Sequence, residues 1–128
     1  MSNVPSTINY RRQTRELTLS WPDGREAALA AELLRVYSPS AEVRGHGVGE
    51  RKLQAGKKHV KITAIEPTGN YAVRLVFDDG HDSGLYTWDY LADLAANEAE
   101  YWRKYLDEMK QAGASRLPTI PVGTWTPR

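Results

Sequence analysis

The histidine best placed to take part in chemistry is His81, which lies in the segment 77–91 between Asp79 and Asp82. A neighbouring carboxylate can fix the tautomer of an imidazole and raise its basicity, as it does around metal-bound histidines. His81, Asp82 and Ser83 are not a catalytic triad, because adjacent residues on a strand point to opposite faces. The same divergence argues against a facial-triad iron site. His81 is therefore either a turn histidine bonded to backbone or a metal ligand.

A second candidate site is the basic, glycine-rich segment 44–61, which carries six basic residues and one acid. Its Gly45-x-Gly47-x-Gly49 spacing would let backbone amides cradle a phosphate. A phosphate loop needs a strand before it and a helix after it, and neither is predicted here. Nucleic-acid binding is disfavoured because no aromatic residues are interleaved with the lysines. The candidate ligand or partner contacts are Arg44, His46, Lys57 and Lys58.

A third candidate is an aromatic surface on the predicted C-terminal helix, which holds more Tyr and Trp residues than one buried stripe can hide. Tyr and Trp are favoured at protein interfaces. Tyr101 and Trp102 are therefore predicted to contact a protein, either an unknown partner or a second copy of the chain. The region 78–108 carries nine acids and two bases, so its charge opposes that of 44–61 and would orient a partner.

Composition narrows the class of protein. The chain has no cysteine, which excludes disulfides, thiolate metal sites and cysteine nucleophiles. No apolar run approaches the roughly 18 residues of a membrane span. Residues 1–13 are polar and contain no signal-peptide core. We therefore expect a cytoplasmic protein of one domain that does not bind a membrane.

Alternating apolar residues predict five strands joined by tight turns at 22–24, 67–70 and 78–80. These strands cover 17–21, 25–29, 59–65, 71–77 and 82–86. A short helix is predicted over 30–36, followed by a surface turn over 38–43 and a mobile loop over 44–58. The expected fold class is α+β: a small antiparallel sheet of hairpin-linked strands, with the short helix and a long C-terminal helix packed on it.

The long helix is predicted to begin after Thr87, a good N-cap, and to run to about Gln111 with a break at 97–98. Its core stripe is predicted to contain Leu91, Ala95, Trp102, Leu106 and Met109. The single domain is expected over 15–113. It would lie between a flexible N-terminal arm (1–14) and a Pro-rich C-terminal tail (114–128) whose Trp125 docks on it.

Three motifs occur in a recognisable order. They are Trp21-Pro22-Asp23-Gly24, the segment 32–43 (E-L-L-R-V-Y-S-P-S-A-E-V), and Asp79-Gly80-His81-Asp82-Ser83 followed by Tyr86, Trp88 and Leu91. Across about residues 15–95 the chain resembles the gamma-butyrobetaine hydroxylase-like N-terminal domain family. The resemblance implies a small α+β module that stands alone in bacteria, precedes 2-oxoglutarate-dependent oxygenases, or is attached to iron–sulfur carrier proteins.

Many members of that family bind zinc through a Cys-x-Cys-x-x-Cys cluster and the histidine of the Asp-Gly-His turn. Aligned on this sequence, the cysteine positions fall on Ser38, Ser40 and Val43, and the histidine falls on His81. Serine is a poor zinc ligand and valine is none. The resemblance thus implies a degenerate metal site, with Ser38, Ser40 and His81 close together and hydrogen bonds in place of the metal.

Three functional hypotheses follow. The leading one is a non-catalytic accessory or protein-interaction domain without a cofactor, linked by the resemblance to oxygenase or iron–sulfur systems. One alternative is a module that binds zinc or iron through His81. The other is a small ligand- or phosphate-binding protein that uses the basic glycine-rich loop. No enzyme activity is expected, because 128 residues cannot also hold an oxygenase catalytic domain.

Overall fold

The structure is a computed structural model that describes residues 2–44 and 51–118, without the side chain of Arg44. The elements in chain order are β1 (Thr7–Arg11), β2 (Glu16–Ser20), β3 (Glu26–Ala30), α1 (Ala31–Val36), α2 (Ala41–Arg44), β4 (Ile62–Thr68), β5 (Ala72–Phe77), β6 (Leu85–Thr87), α3 (Trp88–Ala96) and α4 (Glu98–Gln111). The predicted α+β class is confirmed. Within these residues, no helix has both the length and the apolar character needed to cross a membrane.

The first sheet is antiparallel, with strand order β1-β2-β3. Leu17 of β2 lies opposite Tyr10 of β1 and Leu29 of β3, so one face of the sheet faces the core. Gly24 turns the chain between β2 and β3 with a φ of 94°, a value that residues with a Cβ rarely adopt. This hairpin lies where the sequence predicts it.

The second sheet is also antiparallel, with strand order β4-β5-β6. Its register shifts between Ile62 and Ala64, which marks a bulge on β4. Pro67 also lies on β4, and proline is tolerated in a sheet on an edge strand because it has no N–H to donate. The prediction of one sheet is therefore corrected to two sheets of three strands. The last strand is shorter than the predicted 82–86.

The core is formed by the inner faces of the strands, by α1 and by one side of α3 and α4. Thr87 caps α3 by accepting a hydrogen bond from the N–H of Tyr90, as predicted. The helix breaks at Asn97, which separates α3 from α4. The prediction that Leu106 belongs to the core is wrong: Tyr105 is fully buried, whereas Leu106 is 43% exposed.

Two further segments differ from expectation. The expected flexible arm 1–14 includes β1, which pairs with β2 over all five of its residues. The expected surface turn 38–43 is largely buried: Ser38, Ser40 and Val43 are 1%, 6% and 1% exposed. Of the expected mobile loop, 45–50 lie outside the described residues, as does Trp125.

Part of the C-terminal tail packs on the domain. The N–H groups of Gly56 and Lys58 donate to the carbonyls of Ser115 and Arg116. The Arg116 guanidinium makes two hydrogen bonds of 2.7 Å to the buried carboxylate of Glu32. Tyr105 donates a third hydrogen bond to the same carboxylate. A buried charge needs such partners, so Glu32 ties α1, α4 and the tail together.

Candidate functional site

The turn between β5 and β6 places His81 inside the protein. Gly80 has a φ of 90°, and a Cβ there would meet no atom within 4 Å, so backbone conformation is what favours glycine. The N–H of Phe77 donates to the carbonyl of His81, and the N–H of His81 donates to the Asp79 carboxylate. His81 is only 5% exposed as a result.

The chain leaving α1 brings two serines to this turn. The Ser38 hydroxyl lies 2.8 Å from Nε2 of His81, and the Ser40 hydroxyl lies 2.7 Å from that of Ser83. A Cβ on Gly84 would approach the Ser38 oxygen to 2.5 Å, so a side chain at 84 would push the two segments apart. The predicted proximity of Ser38 and His81 is confirmed. We call Ser38, Ser40, Val43 and His81 the turn cluster.

The hydrogen bonds of His81 define its charge state. Nδ1 lies 3.3 Å from a carboxylate oxygen of Glu42, which is 72% exposed. Burial lowers the pKa of His81, the positive charge of Arg35 lowers it further, and Glu42 opposes the shift. A neutral imidazole that donates from Nδ1 to Glu42 accepts at Nε2 from the Ser38 hydroxyl. Both ring nitrogens therefore have a protein partner.

Asp79 connects the turn cluster to the basic loop. Its carboxylate accepts from Nε of Arg35 at 2.9 Å and from Nζ of Lys57 at 2.6 Å. Burial alone would raise the pKa of Asp79, but the hydrogen bonds from Lys57 and the His81 N–H, and the Arg35 charge, hold it below its usual value. Lys57, a predicted partner contact, is thus occupied by an internal ion pair.

A different group of cations is free of such pairs. Arg12, Arg15, Lys58 and Lys61 have no carboxylate within ion-pair distance among residues 2–44 and 51–118. Arg15 contacts His59, next to Lys58, at 3.3 Å. Arg12 and Lys61 line one surface cavity. We call these four residues the basic surface. The fold assembles it from the β1–β2 turn and the approach to β4.

The remaining predicted contact residues divide into three groups. Lys58 is exposed and belongs to the basic surface. Tyr101 and Trp102 are half-buried: Tyr101 packs edge-to-face on Tyr37, and Arg116 lies over the Trp102 ring at 5.6 Å. These contacts occupy part of the predicted aromatic surface. His46 and the side chain of Arg44 lie outside what the structure describes.

Sequence reasoning missed the basic surface because its two halves are more than 40 positions apart. Charge counting located Lys58 and Lys61 in the basic segment but gave no reason to join them to Arg12 and Arg15. The available signal was alternation at Ile8 and Tyr10, which predicts a strand that pairs with β2. Once that strand is placed, its turn brings both arginines to the same surface.

A family model described as gamma-butyrobetaine hydroxylase-like, N-terminal, matches residues 8–92. The chain belongs to this family. An NMR solution structure with 47% identity covers 96% of this chain and 97% of its own, with a TM-score of 0.79. A second NMR structure with 48% identity covers 100% of this chain and 97% of its own, with a TM-score of 0.77.

A crystal structure from Acidithiobacillus ferrooxidans, described as a protein of unknown function in the DUF971 family, is also similar. It has 36% identity, covers 73% of this chain and 94% of its own, and gives a TM-score of 0.61. A search of curated proteins gave no match.

The turn cluster of this family member does not fit the zinc site that the resemblance implies. Three of its four side chains are two hydroxyls and a hydrocarbon, which are not zinc ligands in structural sites. The described residues contain no group of three or more His, Cys, Asp or Glu side chains that could hold a metal ion. The Ser38 hydroxyl at Nε2 and the Glu42 carboxylate, which accepts at Nδ1, occupy the positions on the imidazole that a metal would compete for.

Proposed function

We propose that the chain is a non-catalytic accessory domain that binds a protein partner in an oxygenase or iron–sulfur system. The observation that carries this proposal is the basic surface. Its four cations have no carboxylate partner in the described parts of the chain, whereas Arg35, Lys57, Arg74 and Arg116 are all paired. Unpaired cations on one surface attract an anionic partner and speed its association.

The state of His81 supports a non-catalytic role. A general base must reach the proton that it abstracts, directly or through one water. His81 is 5% exposed, and its ring nitrogens face Ser38 and Glu42 rather than a cavity. Its hydrogen bonds hold two chain segments together. The turn therefore has a structural role rather than a catalytic one.

The proposal is tested by identifying and then reconstituting the complex. The full chain is crosslinked in its native cells, the crosslinked protein is identified, and both proteins are purified and titrated by calorimetry. We expect a stoichiometric complex whose affinity falls at least tenfold between 50 and 500 mM salt, because exposed charges are screened. The proposal would be contradicted if the purified chain formed no complex with the crosslinked protein. It would also be contradicted if the affinity of the complex did not depend on salt concentration.

Metal binding at His81 is the alternative, and Glu42 is the observation that favours it, since its carboxylate lies 3.3 Å from Nδ1. Zinc and ferrous iron titrated into the unmodified protein should leave the His81 ring signals unchanged in NMR if the leading proposal is right. Saturable shifts of the ring with micromolar affinity would replace it with the metal-binding function. Phosphate binding by the glycine-rich loop stays a prediction, because 45–50 lie outside the described residues.

A further inference from the structure

A groove runs between the outer strands of the two sheets. β1 is at one edge of the first sheet and β4 is at one edge of the second. Between them lies a cavity of about 320 Å³ lined by Tyr10, Arg12, Lys61, Ile62 and Thr63. An adjoining cavity of about 220 Å³ shares four of these residues and continues along β4 to Ile65. We call this space the edge groove.

The backbone of β4 opens toward the edge groove. The N–H of Ile62 points away from β5 and donates to the Tyr10 hydroxyl of β1 at 3.2 Å, a bond that a strand added here would replace. An edge strand in a sheet directs alternate N–H and C=O groups away from its single partner. Those groups are the template that an extended peptide uses when it adds a strand to a sheet. The bulge at Thr63 and Pro67 limit the usable edge to the beginning of β4.

The positive charge at the rim of the groove favours an acidic peptide. Arg12 and Lys61 lie on opposite sides of it, and both are exposed. Two nearby acids are paired with other cations: Glu66 with Arg74, and Asp79 with Arg35 and Lys57. Asp78 accepts a hydrogen bond from the backbone N–H of Lys61 rather than from its ammonium. An occupant with acidic side chains would therefore meet two unpaired cations. The chain's own residues 119–128 contain no acid and do not supply that charge.

A peptide fits these features better than a nucleic acid does. Alternate side chains of an extended peptide point to opposite sides, so one set would face the apolar floor at Tyr10 and Ile65 and the other would reach the cations. Single-stranded nucleic acids need aromatic rings on which successive bases stack. The groove lining includes one aromatic residue, Tyr10, and its hydroxyl is already bonded to Ile62.

We propose that the edge groove binds an extended acidic segment of a partner protein, which adds as a strand beside β4 while its carboxylates pair with Arg12 and Lys61. This inference rests on the proposed function and names the partner's chemistry. It predicts that the partner carries a short stretch in which acidic and apolar residues alternate. It also predicts that this stretch is unpaired before it binds.

The test uses the full chain and a fluorescein-labelled, seven-residue peptide of alternating glutamate and valine, followed by anisotropy and by amide NMR. We expect saturable binding with shifts confined to 10–12 and 61–65. The double variant Arg12→Glu/Lys61→Glu should weaken binding at least tenfold. The matched control Lys104→Glu/Lys110→Glu makes the same charge change on exposed residues of α4 and should leave the affinity within twofold. Amide spectra of both variants establish that they are folded.

Two N-methylated peptides separate strand addition from charge attraction. Methyl groups on one set of alternate amides should abolish binding, and methyl groups on the other set should not, because only one set faces β4. Equal affinity for both, or for a peptide with its glutamates and valines in two blocks, would overturn the proposal. So would tighter binding of single-stranded RNA at the same amides, or self-association of the chain through β1 and β4.

The outcomes also distinguish this inference from the function on which it rests. A reconstituted partner that shifts amides only on α4, or elsewhere away from β1 and β4, would refute the edge groove while the accessory function stood. Failure to reconstitute any partner would refute the accessory function, whatever the peptide does.

Discussion

Replacing Ser38 with alanine should expose the role of hydrogen bonding in the turn cluster. Ser38 is 1% exposed and its hydroxyl lies 2.8 Å from Nε2 of His81, which is itself 5% exposed. The variant leaves a buried imidazole acceptor without a donor and removes the acceptor of the Ser40 N–H, which together cost about 1–3 kcal/mol. A cavity adds little, because only one oxygen is removed and Gly84 lies against it. At about 4 °C per kcal/mol for a chain of this size, the melting temperature should fall by about 4–12 °C.

The assay is urea unfolding at pH 8, where the histidine is neutral in the folded and unfolded states. Ser83→Ala is the matched control, since Ser83 also makes a hydroxyl hydrogen bond in this turn but is exposed. Water can replace its hydroxyl, so the control should cost less than about 0.5 kcal/mol. The two variants differ mainly in whether the lost partner was shielded from water.

Two results would refute this reasoning. A loss below about 0.5 kcal/mol for Ser38→Ala would mean that water or a rotated side chain satisfies His81. An equal loss for Ser83→Ala would mean that the turn responds to any loss of a hydroxyl, so that burial of the Ser38–His81 bond is not the cause.

Three further predictions concern the charged groups and the metal. The pKa of His81 is lowered in the folded state, so the unfolded chain protonates this histidine at a higher pH than the folded chain does. The free energy of unfolding should therefore decline as pH falls below about 6.5, and the decline should be smaller in His81→Gln. Cysteines at the three other positions of the turn cluster should create a zinc site, detected as stoichiometric zinc and a raised melting temperature, whereas the unmodified chain should gain neither. Arg116→Met should lower the free energy of unfolding in urea by about 2–3 kcal/mol, which is less than the loss on breaking a fully buried ion pair because Arg116 is 35% exposed. Adding Glu32→Gln should recover most of this loss, because it removes the unpaired buried charge. Additive losses in the double variant would contradict the pairing.

The strands and caps that local pattern defines were predictable from the sequence. β2, β3 and β5 follow alternation between turn residues, and Thr87 is the N-cap that its residue type suggests. β1 was missed because its exposed side chains are polar and the sequence around it resembles a disordered arm. Pairing with β2 and packing of Ile8 and Tyr10 on the core stabilise it, and neither is a local property.

The predicted core stripe of the long helix was centred too far to one side. At about 100° per residue, Leu106 lies about 60° from Leu91 on one side, whereas Leu94 and Tyr105 lie about 60° and 40° from it on the other. Leu94 and Tyr105 are fully buried and Leu106 is 43% exposed, so the buried face extends toward the side that the predicted stripe left out. Which side of the stripe faces the core depends on tertiary packing, which is not a local property of the sequence.

The turn cluster could be located only through the family resemblance, since Ser38 and His81 are 43 positions apart and neither has a local pattern. The stabilisation that a zinc ion supplies can be compared with that of the hydrogen bonds found in its place. A structural zinc ion contributes about 10–16 kcal/mol in small zinc domains, whereas a buried hydrogen bond contributes about 1 kcal/mol net. The few hydrogen bonds of the turn cluster therefore cannot hold this region alone.

α1 supplies further stabilisation, because it is buried along its whole length and is also joined to the β5–β6 region by polar contacts. Arg35 pairs with Asp79 in the turn, and the Tyr86 hydroxyl donates to the carbonyl of Leu34. Packing and these two contacts help to position Ser38 for its hydrogen bond to His81. The domain thus keeps the family's fold without cysteines in the turn cluster, and under the proposed function its recognition chemistry lies on the basic surface.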